Sequence, residues 1–93
     1  MPAITRRSRI VVRLFLFTRP GCSGCDALRA QVLKFLEQHD VEFTEYDVTT
    51  AVGMGNASYF DLGDTPLPVL VVENRHGHRK FSTFPTELDL ARA

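Results

Sequence analysis

Only two cysteines occur in the chain, and they stand together as Cys22-Ser23-Gly24-Cys25. Two thiols at this spacing can exchange with a disulfide, hold a soft metal, or do nothing but pack. In the first turn of a helix, residues three apart are neighbours at a separation that a disulfide can bridge, so the pair can close and open with little backbone movement. A thiol at a helix N-terminus also faces unpaired backbone N–H groups and the positive end of the macrodipole, both of which favour the thiolate. Arg19, three residues upstream, adds a nearby positive charge. This assigns Cys22 as nucleophile. Cys25, deeper in the helix, is the thiol that resolves a mixed disulfide on Cys22.

Metal binding is the competing chemistry. Zinc takes four ligands, and only His39, His76 and His78 are available to supplement the two thiols. The His76-x-His78 spacing does not match the usual finger arrangement, so no resident metal is expected. Two thiolates also suit Cu(I), which keeps a soft-metal carrier as an alternative. A third reading is an interaction module whose thiols are incidental.

The pair depends on the elements around it. Ile10 to Thr18 is rich in Val, Leu, Ile and Phe, as expected of a strand buried on both faces of a sheet. Pro20-Gly21 breaks it. From Ser23 to His39, Leu28, Val32, Phe35 and Leu36 form one apolar stripe of an amphipathic helix. The cysteines therefore fall where a strand gives way to a helix. Val41 to Val48 reads as a second strand, although Phe43 and Tyr46 break strict alternation and imply burial on both faces or a bulge. Thr50 to Leu62 permits a second helix, against a cost of about 1 kcal/mol for each of Gly53 and Gly55 relative to Ala.

Val69 to Glu73 is a short strand, Asn74 to Gly77 has turn chemistry, and His78 to Ser82 returns as its hairpin partner. Pro85 opens a final helix bearing Leu88 and Leu90. The order β-α-β-α-β-β-α predicts an α/β fold. Its four-stranded mixed sheet has a right-handed parallel crossover at the start, an antiparallel hairpin at the end, and flanking helices. Residues 1 to 9 read as a flexible basic arm and 10 to 93 as one domain.

Eleven basic and eleven acidic side chains cancel. That balance gives no electrostatic footprint for nucleic acid. The longest apolar run, Ile10 to Phe17, is far short of the roughly 20 residues that span a bilayer. No secretory signal is recognised, which makes the cytoplasm the expected location. Arg6, Arg7 and Arg9 support at most a docking role for the arm.

The segment Thr18-Arg19-Pro20-Gly21-Cys22-Ser23-Gly24-Cys25 after an apolar strand resembles the active-site segment of glutaredoxins and related small redoxins of the thioredoxin superfamily. Thr65-Pro66-Leu67-Pro68-Val69 resembles their loop ending in a cis-proline before the third strand. The resemblance covers about residues 10 to 90 and implies the thioredoxin (glutaredoxin-like) fold. It also implies thiol-disulfide oxidoreductase activity through Cys22 and Cys25. Substrate contact is implied at Arg19, Gly21, Ser23, Thr65, Leu67, Pro68 and Thr83. Pro68 is the chosen cis-proline, with Pro66 as the competing position.

The implied partners are disulfide-bearing proteins, with glutathione or thioredoxin reductase as electron source. No tightly bound cofactor and a monomeric state are expected. Two departures stand out. Ser23-Gly24 replaces the proline and aromatic pair usual in glutaredoxins, and Ser82-Thr83-Phe84-Pro85-Thr86 replaces the Gly-Gly-acidic stretch that grips glutathione. The second departure moves the expectation toward relatives that exchange electrons with thioredoxin reductase or directly with protein disulfides.

Overall fold

The computed structural model describes residues 12–39, 41–74 and 77–85. Within them the chain runs β1 (Arg13–Thr18), α1 (Ser23–Leu36), β2 (Glu42–Asp47), α2 (Ala51–Tyr59), β3 (Val69–Asn74) and β4 (Gly77–Phe81). The predicted basic arm of residues 1 to 9 lies outside the described residues, as does the predicted final helix with Leu88 and Leu90.

The strands form one sheet in the order β2-β1-β3-β4. β1 pairs in parallel with β2 and antiparallel with β3, and β3 pairs antiparallel with β4. The expected mixed sheet is therefore present, with β1 and β3 at its centre. Their apolar runs follow from that position, because a central strand is covered on both faces. On one face Leu14, Leu16, Leu70 and Val72 pack with Leu28 and Val32 of α1. On the other, Phe17, Val69 and Val71 pack with Phe60 and Leu62, which follow α2. Each buried aliphatic side chain contributes roughly 1.5–3 kcal/mol on leaving water.

α1 presents the predicted stripe to the sheet, with Cys25, Leu28 and Val32 buried and Phe35 and Leu36 packed at the margin. Asp26 in its first turn and Lys34 in its last both complement the macrodipole. It ends at Leu36, three residues before the predicted limit. Gln38 N–H donates to Phe35 O at 3.1 Å, and the tightened turn lets the His39 ring stack on Phe35 with centroids 4.0 Å apart.

β2 carries no bulge, since its register with β1 is continuous from Glu42 to Asp47. Phe43 packs toward α1 and Tyr46 toward the α2 face. Of the two expected explanations for the broken alternation, coverage on both faces is therefore the one observed, and Glu45 sets a carboxylate on the α1 face beside Phe43.

α2 is shorter than predicted, spanning Ala51–Tyr59. Thr50 caps it, its Oγ1 accepting from Gly53 N–H at 3.0 Å while donating to Asp47 O at 2.7 Å. Asp47 in turn accepts from the amide and hydroxyl of Thr49 at 2.8 and 2.6 Å, turning the chain from β2 into the helix.

Candidate active site

β1 delivers the chain to the end of the central strand at Thr18, and Gly21, at φ 77°, provides the left-handed turn that starts α1. Cys22 is the N-cap of that helix, extended at φ −92° and ψ 108°. Its Sγ accepts the Cys25 N–H at 3.2 Å, so the sulfur satisfies one of the helix's orphan donors. Cys22 and Cys25 are joined as a disulfide with Cα atoms 5.3 Å apart, a spacing the helical turn supplies without distortion. The two thiols are unequal in access. Cys22 is partly exposed, whereas Cys25 is 1% exposed and belongs to the core.

The Leu67–Pro68 peptide bond is cis, at the position preferred over Pro66. A Cβ placed on Gly24 would lie 3.2 Å from Pro68 Cδ, which sets the proline ring against the Cys22–Cys25 turn.

An open cavity of about 280 Å³ beside the cysteines is lined by Arg19, Gly21, Cys22, Ser23 and Cys25 together with Pro20, Asp26 and Arg29. Four of the residues singled out with the cysteines are divided differently. Pro68 sits against Gly24, whereas Thr65 and Leu67 line a second groove of about 280 Å³ with Val48, Met54, Ala57 and Leu62 on the α2 side. Thr83 is exposed in the bend after β4 and lines neither cavity.

The sequence reading missed a polar cluster under the loop. Arg29 donates through Nε to Glu45 Oε1 at 2.8 Å, through Nη2 to Glu45 Oε2 at 2.6 Å, and through Nη1 to Asp26 Oδ1 at 2.6 Å. The buried hydroxyl of Thr18 donates to Glu45 Oε2 at 2.9 Å. The Arg29 guanidinium holds the Glu45 carboxyl below its ordinary pKa, aided by Thr18 and opposed by partial burial. Both carboxylates raise the pKa of Arg29. The sequence places Arg29 one turn beyond Cys25 and Glu45 two residues from Phe43 on the same side of β2, but nothing in it pairs the two.

His39 Nδ1 lies 3.1 Å from Phe35 O, and the ring of His78 meets Phe60 edge-on at 5.0 Å. Among the described residues, no three His, Cys, Asp or Glu side chains converge as a metal site, and no helix is long and apolar enough to cross a membrane.

A four-stranded mixed sheet between helices, with a Cys-x-x-Cys pair at the start of α1 and a cis-proline against it, defines a thioredoxin-fold protein whose cysteine pair supports a redox role. Residues 13–92 match the glutaredoxin-like domain (DUF836), and the chain belongs to that family. No curated protein matches the sequence.

Solved thioredoxins share the fold. Oxidised mitochondrial thioredoxin 3 of Saccharomyces cerevisiae is 20% identical with a TM-score of 0.67, covering 86% of this chain and 74% of its own. A single-site mutant of thioredoxin from Halobacterium salinarum is 23% identical with a TM-score of 0.67, covering 87% and 69%. Chloroplastic thioredoxin z is 18% identical with a TM-score of 0.68, covering 97% and 81%.

Proposed function

We propose that the protein is a dithiol-disulfide oxidoreductase that reduces disulfides of protein partners. In the reduced form the Cys22 thiolate attacks one sulfur of a target disulfide. A Cys22–target bond forms, the target's S–S bond breaks, and the departing thiolate takes a proton from solvent. Cys25 then gives up its proton and attacks Cys22 Sγ. The Cys22–Cys25 bond forms and the second target thiol leaves, so two electrons have passed to the target. A thiol donor resets the pair, either glutathione or thioredoxin reductase, in a reducing compartment such as the cytoplasm.

One observation supports this order above all: Cys22 is partly exposed at the helix tip while Cys25 is buried behind it. Arg19, Gly21 and Ser23 on the cavity wall, and Leu67 with Pro68 on the facing loop, are the residues assigned to hold the target segment. Thr65, on the α2-side groove, and Thr83, in the bend after β4, are assigned to outlying contacts with the target.

The test is a coupled turnover assay run in parallel with glutathione plus its reductase and with thioredoxin reductase. Cys22→Ser is expected to abolish disulfide reduction, and Cys25→Ser to accumulate a mixed disulfide visible as a mass adduct. Undiminished reduction by the Cys22 variant would remove the proposal.

A further inference from the structure

The redox loop is fastened at both ends by one carboxylate. Residues 19 to 25 leave the sheet after Thr18 and enter α1, whose second turn carries Arg29. Glu45, on the neighbouring strand, accepts the Thr18 hydroxyl at the loop's start and both Nε and Nη2 of Arg29 beyond its end. Thr18 is 4% exposed, whereas the Glu45 side chain is 29% exposed and that of Arg29 34%, so the junction is buried at its Thr18 end and open to water at its Arg29 end. Arg29 and its second partner Asp26 also form part of the wall of the cavity that contains both cysteines.

We propose that Glu45 is a positioning residue for the Cys22–Cys25 pair, and that by tying Thr18 to Arg29 it sets how readily the disulfide opens. The inference rests on the redox reading only in treating the pair as one that cycles. The relevant equilibrium is protein disulfide plus a dithiol reductant going to protein dithiol plus oxidised reductant. The Cys22–Cys25 bond breaks, a disulfide forms in the reductant, and its two electrons and two protons pass to the cysteine sulfurs, with Cys22 able to release its proton to water.

Two effects of the tie act in the same direction. Bracing the helix against the strand end limits fraying of the turn that Cys22 caps, which keeps the two sulfurs near each other, raises their effective concentration and favours the closed form. The carboxylate also neutralises Arg29, and without it the cavity wall would be more positive, favouring a Cys22 thiolate and hence the open form. Loss of the Glu45 charge therefore makes the disulfide easier to reduce on both counts.

The experiment equilibrates the full chain against graded ratios of reduced and oxidised dithiothreitol and reads the dithiol fraction by thiol alkylation and mass. Glu45→Gln is expected to move the equilibrium toward dithiol by about 3- to 10-fold, and Thr18→Val, which removes only the mechanical tie, by about 2- to 3-fold. The control is Glu42→Gln, which breaks the comparable 3.1 Å Arg13–Glu42 pair at the far end of the same strand and should leave the equilibrium unchanged. Repeating the titration in about 1 M salt, where the Debye length is near 3 Å, should shrink the Glu45→Gln shift toward that of Thr18→Val.

No shift in Glu45→Gln, or an equal shift in Glu42→Gln, overturns the proposal. Should Glu45→Gln not fold, Thr18→Val carries the test alone, and its failure to shift the equilibrium is equally decisive. Because no target protein is present, a chain that turns over with neither donor yet shows these shifts would sink the proposed function and leave this inference standing.

Discussion

Gly24 is where the helix tip touches the cis-proline loop, and the touch is close enough that a side chain would fit only if the loop gave way. Its would-be Cβ lies 3.2 Å from Pro68 Cδ and 3.8 Å from Pro68 Cγ, both atoms of a rigid ring. An alanine there would have to push the loop outward by a few tenths of an ångström, and Leu67, one of the residues assigned to hold the target segment, would move with it. The same change removes a glycine from a helix, which by propensity alone is worth about 1 kcal/mol in stability. Gly24→Ala is therefore expected to separate stability from activity. The unfolding midpoint holds or rises, while KM for protein disulfides increases roughly 3- to 10-fold through misplacement of the reacting sulfur. Thermal melts beside the turnover assay check this, and an unchanged KM would show that the loop has slack at Pro68. Sequence alone offers Gly24 only as the residue between a serine and a cysteine, because its constraint comes from a proline 44 positions away.

At the scale of elements, legibility followed how much of the cause was local. β1 and α1 could be read because their signals lie within themselves: a run of buried apolar residues, then Leu28, Val32, Phe35 and Leu36 at helical spacing. Pro68 as the cis position was legible through the resemblance of the loop before β3. Glu45 was not, because its place on the α1 side of β2 makes sense only once Arg29 and Thr18 converge on it from two other elements. α2 shows the same divide within nine residues. Gly53 and Gly55 look alike in sequence, each a liability to a helix, yet a Cβ on Gly53 would overlap the Asp47 carbonyl whereas one on Gly55 would meet open space. Gly53 is there because the helix must cross the end of β2 at backbone contact. Gly53→Ala should therefore destabilise by about 1–3 kcal/mol despite its better propensity, since backbone cannot yield as a side chain does. Gly55→Ala should stabilise by about 0.5–1 kcal/mol. Urea unfolding of the two variants decides the point, and equal effects of either sign would mean that α2 does not sit against Asp47.

For the whole molecule, the equal numbers of acidic and basic side chains mean that net self-repulsion contributes little near neutral pH, so acid sensitivity must come from particular carboxylates. Two are held below their ordinary values: Glu45 chiefly by Arg29, and Asp47 by the hydroxyl and amide of Thr49. A carboxylate whose folded pKa is lowered binds its proton more readily in the unfolded chain. Its contribution is therefore fully present above the unfolded value, ordinarily 4.5 for Glu45 and 3.8 for Asp47, and is lost as pH falls through the lower folded one. Glu45 dominates this loss, because Asp47 is bonded at an exposed turn where water competes for the same hydrogen bonds, whereas Glu45 ties three elements together. The free energy of unfolding in urea should thus stay level from neutral pH down to just above 4.5 and then fall. In Glu45→Gln it should start lower at neutral pH and fall less steeply below that point, because the group that would take up the proton is gone. Parallel curves for the two proteins through the acid range would show that protonation of Glu45 is not what loosens the fold, and the acid limb would then have to be sought among the remaining carboxylates.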